Sequence, residues 1–263
     1  MTSEALDFAE LVRLMRQMAH DMRGPLGVLS ITADMLVQGG YGELNPKQVR
    51  AAKRMQRANN RILTLLDDFM AYVKAEAQQL PLDVGPFDPQ ALLADLRDTA
   101  LPEAQARNLT VRLVADENLP PILCGDATLI RRVMLALLWN AVVFSVQGEI
   151  TLRSSWVTAT STWILEVSDE GGGIAPEHAP HIFKPLWRGA ERPQSPTSSF
   201  GIGLAMAQAL TRMMSGQLTL EKTGPDGSVF CLRLPLRTVL TRTLSEAQAT
   251  RDLPSTRHEE STL

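Results

Sequence analysis

Apolar residues recur at gaps of three and four along two successive stretches near the N-terminus. In the first stretch they are Leu11, Met15, Met18, Met22, Leu26, Leu29, Ala33 and Leu36. In the second stretch they are Met55, Ala58, Ile62, Leu66, Phe69 and Val73. This spacing places the apolar side chains of each stretch on one face of a helix. Between the two stretches, GGYGELNP (39–46) supplies glycines that end one helix, with Asn45 as N-cap and Pro46 at the first position of the next.

The two predicted helices form an antiparallel hairpin within residues 5–80. Such a hairpin is a single layer, and it cannot bury its apolar face by itself. We therefore expect two copies of the chain to associate as a homodimer, in which the paired hairpins make a four-helix bundle.

The pattern changes after LPLDVGPFDP (80–89), which is rich in proline and glycine. Helices are predicted at 88–107 and 126–146, strands at 109–115, 149–157, 162–168, 217–221 and 228–234, and a further helix opening at Gly201. Helices grouped between strands that are mostly joined as hairpins indicate an α+β sandwich over residues 81–237. Residues 238–263 are polar with scattered charges, and we expect a disordered tail there.

Composition limits the partners and the compartment. The 263 residues carry a net charge of -3 with an isoelectric point near 5.9, which gives no general attraction to nucleic acid or to anionic membranes. No apolar run is expected to reach the ~18 residues that span a bilayer. Two cysteines without a CxxC pair fit a reducing, cytoplasmic setting. Few residues precede the hairpin, so we expect a separate sensor protein, or a longer chain of which this is a fragment, to supply the input.

The segment HDMRGPL (20–26) places a histidine on the polar side of the first helix. At 100° per residue, His20 points about 180° away from the mean direction of Met18 and Met22. An arginine on each side, Arg16 and Arg23, can attract phosphate, and Asp21 can orient or deprotonate the imidazole. The alternative is an incidental histidine on a solvated helix face.

This segment resembles the H-box of sensor histidine kinases, and four later segments resemble the other boxes of that family in the same order. They are LLWNAVVFS (137–145) for the N-box, DEGGGI (169–174) for the first glycine box, HIFKPLWRG (181–189) for the F-box and SSFGIGLAMA (198–207) for the second glycine box. The resemblance extends over about residues 5–236. It implies a phosphotransfer hairpin followed by an α+β sandwich of the histidine-kinase ATPase type.

The resemblance also implies a reaction and a set of site residues. His20 would take a phosphoryl group from ATP, with Asp21 as base and Arg23 beside the phosphate, and would pass it to an aspartate of a response regulator receiver domain. The nucleotide contacts it implies are Asn140, Asp169, Gly171, Gly173, Phe183, Arg188, Gly201, Gly203 and Leu204. The amide oxygen of Asn140 suits Mg²⁺, Asp169 would accept a hydrogen bond from the adenine amino group, and a helix N-terminus after Gly201 suits phosphates.

Within the predicted lid between Pro185 and Phe200, either Arg188 or Arg192 suits the γ-phosphate, and the sequence leaves both open. Glycines at 171 and 173 are expected to let the backbone approach the base. His178 and His181 have a spacing that metal ligands use, but without a third ligand a structural role is favoured.

Three positions depart from the family pattern. Ala136 and Val143 replace an asparagine and a lysine that many members carry in the N-box, and the loss of these polar groups motivates a second hypothesis, a degenerate kinase that acts as a scaffold. Gly24 replaces a threonine or asparagine, so we expect weak or absent phosphatase activity toward the regulator. A gyrase-like or chaperone-like ATPase is disfavoured because such enzymes lack the histidine hairpin.

The second helix carries a basic face of five residues: Lys47, Arg50, Arg54, Arg57 and Arg61. It is interpreted either as a solvated surface or as a dock for the acidic rim of a receiver domain.

Overall fold

The predicted hairpin is present in the computed structural model, which describes residues 8–187 and 201–238, with no side-chain detail at 8–12, 14 and 15. Helix α1 covers Phe8–Val37 and helix α2 covers Pro46–Glu76. The side-chain oxygen of Asn45 accepts the backbone N–H groups of Lys47 and Gln48, each at 3.0 Å, and Gln48 accepts the Asn45 N–H at 2.9 Å. This reciprocal cap confirms the predicted start of α2.

The apolar stripe of α1 is divided between two environments. Leu26 and Ala33 are buried, together with Ala19, whereas Met18 and Met22 are 63% and 45% exposed. The buried positions follow one another at intervals of seven residues, and these face α2. A single hairpin therefore leaves part of the predicted stripe exposed, because only part of it packs against α2.

A globular domain follows the hairpin. Its helices are α3 (Pro89–Gln105), α4 (Ala127–Phe144) and α5 (Gly203–Met213). Its strands are β1 (Gly85–Phe87), β2 (Leu109–Ala115), β3 (Leu123–Gly125), β4 (Gly148–Val157), β5 (Thr162–Asp169), β6 (Gln217–Gly224), β7 (Gly227–Pro235) and β8 (Arg237–Thr238). Short 3-10 turns occupy Thr158–Thr160 and Ala179–His181.

Five of the strands form the main sheet in the order β2-β4-β5-β7-β6, with β2 and β4 parallel and the other neighbours antiparallel. Strands β1, β3 and β8 form a small second sheet that the sequence pattern did not predict. Each of them has two or three residues, too few to show a period of two. Because Thr238 pairs with Leu123, the predicted tail begins too early by at least one residue. The remainder of that tail lies outside the described residues.

Helices α3, α4 and α5 pack with the main sheet around a core that includes Leu96, Leu137 and Trp163, all fully buried. Among the described residues, α4 is long and apolar enough to span a bilayer by length and composition. Eight of its side chains are buried in the domain, as befits a central core helix.

The hairpin packs directly against the globular domain through α2. Ala71 and Ala75 belong to the same buried cluster as the domain core. The carboxylate of Asp68 pairs with Arg132 of α4 at 3.1 Å, and Glu76 pairs with Arg212 of α5. Burial raises the pKa of Asp68, and Arg132 opposes that rise. These contacts join the histidine-bearing hairpin to the two helices that carry the second set of predicted site residues.

Candidate functional site

The imidazole of His20 is exposed on α1, as the helical periodicity predicts. The next side chain, Asp21, is also exposed, and its Oδ1 accepts a hydrogen bond from Gln17 Nε2 at 3.0 Å. Gln17 therefore holds the carboxylate on the turn that carries the histidine. The helix continues through Pro25, whose missing N–H leaves the Asp21 carbonyl without its usual partner inside the helix.

Arg23 of α1 forms an ion pair with Asp67 of α2 at 2.6 Å. Both side chains are about half exposed, at 52% and 51%, so the pair adds little to stability. Its effect is instead positional, since it fixes the guanidinium at the edge between the two helices.

A cleft of about 400 Å³ opens beside His20. Its lining includes four cationic side chains: Arg13, Arg16, Arg23 and Lys74. Arg16 and Arg23 are predicted from their spacing on α1. Lys74 is not predicted from the sequence, because only the pairing of α2 with α1 brings that residue to the histidine.

Asp169 ends β5 and is 8% exposed. Its Oδ1 accepts the Gly171 N–H at 2.9 Å, and its carboxylate also accepts the backbone N–H of Ser228, its partner across β7. Burial raises the pKa of this carboxyl, and the two hydrogen bonds oppose the rise. A buried carboxylate with free acceptor capacity suits a hydrogen-bond donor of a ligand. The contact with Ser228 is not predicted from the sequence, because only the sheet register places that residue beside Asp169.

Two of the three glycines of DEGGGI (169–174), Gly171 and Gly173, are required by the protein's own packing. A Cβ on Gly171 would lie 2.8 Å from the Phe144 carbonyl oxygen, and one on Gly173 would lie 2.0 Å from the Gly224 carbonyl oxygen. Gly173 also has a φ of +69°, which disfavours any other residue. Packing within the protein is therefore sufficient to require glycine at both positions, without the expected approach of a nucleotide base.

We predict opposite effects of two alanine substitutions on folding. Gly173→Ala should lower the free energy of unfolding by about 2–4 kcal/mol, because its Cβ meets Gly224 and its φ is unfavourable. Gly203→Ala should fold with equal or greater stability, because nothing lies within 4 Å of its Cβ position and alanine favours the helix. Chemical denaturation followed by circular dichroism checks both. Equal midpoints for the two variants would contradict the packing argument.

The remaining predicted nucleotide residues lie on α4, α5 and the segment between them. Asn140 and Leu204 are half-buried, and Phe183 packs edge-on against Phe230 with centroids 6.3 Å apart. Helix α5 begins at Gly203, two residues after the predicted start, and Ile202 at its N-cap provides no side-chain acceptor. The open Cβ position of Gly203 and the uncapped helix amides suit an anionic group.

Gly201 and the start of the predicted lid are joined by a backbone hydrogen bond. The Leu186 N–H donates to the Gly201 carbonyl at 2.9 Å, and a Cβ on Gly201 would lie 2.5 Å from the Trp187 carbonyl oxygen. His178 packs edge-on against Trp187 at 5.2 Å. Arg188 and Arg192 lie outside the described residues. Among the residues that the structure describes, no group of three His, Cys, Asp or Glu side chains is placed to hold a metal ion.

Two family models match the chain, in the order in which its two domains occur. Residues 10–78 match the His Kinase A (phospho-acceptor) domain, and residues 125–238 match the family of histidine kinase-, DNA gyrase B- and HSP90-like ATPases. Together they cover more than half of the chain. The chain belongs to the sensor histidine kinases. Its phospho-acceptor match contains His20, and its ATPase match contains Asn140 and Asp169. The expected fold, a helical hairpin followed by an α+β domain of this ATPase type, is thereby confirmed.

Named relatives of this sensor histidine kinase agree with that assignment. It is 31% identical to the sensor protein TorS of Escherichia coli over 84% of its own length, and 30% identical to the phosphate regulon sensor protein PhoR of Pseudomonas aeruginosa over 81%. It spans 23% of the length of TorS and 47% of PhoR.

Solved structures share its fold. Full-length ShkA in complex with AMPPNP aligns with a TM-score of 0.72 at 23% identity, over 87% of this chain and 47% of that one. The Acinetobacter baumannii histidine kinase AdeS aligns with a TM-score of 0.57 at 23% identity, over 82% of this chain and 96% of that one.

Proposed function

We propose that the chain phosphorylates its own His20 from ATP and passes the phosphoryl group to an aspartate of a response regulator receiver domain. The observation that carries this proposal is an exposed histidine in a cationic cleft, on a hairpin that packs directly against a domain of the ATPase family. The hairpin corresponds to residues 5–80 and the ATP-binding domain to 81–238, with the predicted tail beginning after Thr238.

In the proposed reaction an imidazole nitrogen of His20 attacks the γ-phosphorus of ATP. The N–P bond forms as the bond from phosphorus to the bridging oxygen breaks, and ADP leaves. Asp21 takes the imidazole proton, and Arg23 lies beside the transferred group. Positioned bases typically contribute about 10²- to 10⁴-fold to such transfers.

The nucleotide would be held in the globular domain. Asp169 would accept the adenine amino group, next to the Gly171 and Gly173 turn and Phe183, and the amides around Gly201, Gly203 and Leu204 would bind the phosphates. Either Arg188 or Arg192 would supply a charge to the γ-phosphate. Asn140 offers one amide oxygen, which fits Mg²⁺ only when phosphate oxygens complete its ligands. The ion would neutralise phosphate charge there.

The proposed homodimer would bury apolar surface that one chain leaves exposed. On α1 this surface includes Met18, Met22 and Leu29, and on α2 it includes Met55 and Ile62, all between 39% and 63% exposed. Apolar rows of this kind on a helical hairpin indicate a helical partner. We place the reaction in the cytosol, where ATP is available, with the stimulus supplied by a separate sensor or a further part of a longer chain.

A receiver domain would meet His20 on the outer face of α1. Gly24, Gly27 and Ile31 follow His20 on that face at helical spacing, and neither glycine presents a side chain. Ile31 and the neighbouring Val28 are 63% and 64% exposed. An apolar surface next to the phosphorylated group suits a protein that must approach it closely.

The test is to incubate the protein with γ-labelled ATP and Mg²⁺ and to locate the label. Trypsin cleaves after Arg16 and Arg23, and the resulting peptide 17–23 has His20 as its only histidine. We expect label in that peptide that is stable in alkali and lost in acid, as a phosphoramidate requires. Label that survives acid, or that lies in another peptide, would contradict the proposal.

The degenerate-kinase alternative rests on Ala136 and Val143, both half-buried on α4. It predicts a protein that binds nucleotide weakly and carries no label in peptide 17–23. The labelling experiment therefore separates the two functions.

We predict that the double variant Arg54→Glu, Arg57→Glu slows transfer to a receiver domain that accepts phosphoryl groups from the wild type by about tenfold at low salt. Both side chains are exposed, and Arg57 Nε donates to the Lys53 carbonyl at 3.2 Å. Time courses of phosphotransfer, quenched at intervals at low and at high salt, measure the effect. An unchanged rate at both salt concentrations would identify the basic face as a solvated surface.

A further inference from the structure

Cationic side chains from both helices of the hairpin line the cleft beside His20. Four of the residues that line it are cationic, Arg13, Arg16, Arg23 and Lys74, and none is acidic. A cleft of this kind attracts anions, since no carboxylate within its lining competes for the cations.

The helix register explains why Lys74 reaches the cleft. The Arg23–Asp67 ion pair and the hydrogen bond from Ser30 Oγ to Asn60 at 3.4 Å align α2 antiparallel to α1. One turn beyond Asp67, α2 places Met70 at the level of His20, and the next turn places Lys74 at the level of Arg16. Both α2 residues line the cleft.

The four cations differ in what else they contact. Arg23 is paired with Asp67, which neutralises much of its charge. For Arg13, Arg16 and Lys74, the described part of the chain contains no ion-pair partner. Lys74 is also the only one of the four that α2 supplies, and the residues on either side of it, Val73 and Ala75, are 6% and 5% exposed. Its backbone is therefore held in place by packing.

We infer that the cleft is a binding site for the phosphoryl group carried by His20, and that Lys74 is a positioning residue that stabilises it from α2. The inference rests on the proposed function. The phosphoramidate oxygens carry close to two negative charges, and an ammonium group can donate three hydrogen bonds to them. Lys74 forms and breaks no covalent bond. It acts on the product of the transfer, after the N–P bond has formed and ADP has left.

The first experiment measures anion binding without any transfer. Inorganic phosphate is titrated at constant pH and low ionic strength, and the imidazole C–H signal of His20 is followed by NMR, assigned by its loss in His20→Gln. We expect a saturable shift in the wild type. In Lys74→Gln the apparent affinity should fall by about three- to tenfold, and Lys74→Arg should restore most of it.

Lys53→Gln is the matched control, because it removes the same charge from an exposed position of α2 that does not line the cleft. Its titration should equal that of the wild type. A shift that does not saturate, or the same affinity in Lys74→Gln as in the wild type, would overturn the inference.

The second experiment measures the labelled state itself. At a fixed ratio of ATP to ADP, the equilibrium fraction of phospho-His20 should fall about three- to tenfold in Lys74→Gln and recover in Lys74→Arg. A fraction equal to that of the wild type would overturn the role of Lys74. If the wild type takes no label, the proposed function fails, and the phosphate titration still decides whether the anion site exists.

Discussion

His20→Gln is expected to remove all acid-labile label that the wild-type protein acquires from ATP. Glutamine is neutral and helix-compatible, but it has no ring nitrogen that can attack the γ-phosphorus. His20 is exposed, so the substitution should leave the free energy of unfolding within about 0.5 kcal/mol of the wild type. Scintillation counting of the purified protein, before and after acid treatment, measures the effect.

The same variant separates chemistry from nucleotide binding. A fluorescent ATP analogue should bind His20→Gln as it binds the wild type, because the proposed nucleotide contacts all lie in the globular domain. Persistent acid-labile label in the variant would place the phosphoacceptor at another residue. Mixing His20→Gln with a variant that cannot bind ATP tests the dimer: restored labelling means that one protomer phosphorylates its partner.

Asp169→Asn is expected to weaken ATP binding about 10- to 100-fold. The carboxylate at the end of β5 is 8% exposed and can only accept hydrogen bonds when ionised. Asparagine would turn an amide N–H₂ group toward the donor that the carboxylate binds, or lose one of its contacts to Gly171 and Ser228. Calorimetric titration with ATP measures the change. Asp98→Asn, on the exposed surface of α3, is the matched control and should bind ATP as the wild type does.

The raised pKa of Asp169 gives this prediction a pH dependence and a stability check. Because the folded-state pKa lies above the unfolded value, the folded protein holds more protons between the two values. Stability therefore falls as pH rises through that window, and above it the cost of the buried charge is fully present. Asparagine removes the cost of the buried charge but weakens two hydrogen bonds. These effects have opposite signs, so the free energy of unfolding of Asp169→Asn should lie within about 1 kcal/mol of the wild type.

ATP binding has the opposite pH dependence to stability: it weakens as pH falls. ATP affinity of the wild type should decline as pH falls toward the raised pKa of Asp169, since the protonated carboxyl is uncharged, accepts the adenine amino group less strongly and turns one oxygen into a donor. The ATP affinities of the wild type and Asp169→Asn should therefore become more similar as pH falls over the same range. Unfolding of Asp169→Asn at a much lower temperature than the wild type would show that lost binding reflects lost structure.

Local sequence was sufficient for most of the secondary structure. Strand β2 is predicted at the residues where it is found, and Asn45 with Pro46 fixes the start of α2, because a cap and a fixed φ act within one helical turn. The exposure of His20 also follows from helical periodicity alone. Strands β1, β3 and β8 escaped prediction because each is stabilised by pairing with residues far along the chain, such as Gly85 with Gly125.

Resemblance to the motifs of a known family was likewise enough to identify the family and to name His20, Asn140 and Asp169 as candidate site residues, since each motif is a short contiguous segment. Tertiary structure alone decided which side chains meet across elements. Lys74 enters the cleft beside His20 because α2 pairs with α1 in one register, and Ser228 meets Asp169 because β7 pairs with β5. The tertiary structure also explains why residues 171 and 173 are glycines: a Cβ at these positions would collide with the backbone of Phe144 and Gly224, respectively. Contacts of this kind depend on distances between residues that are remote in sequence, and a local pattern carries no information about those distances.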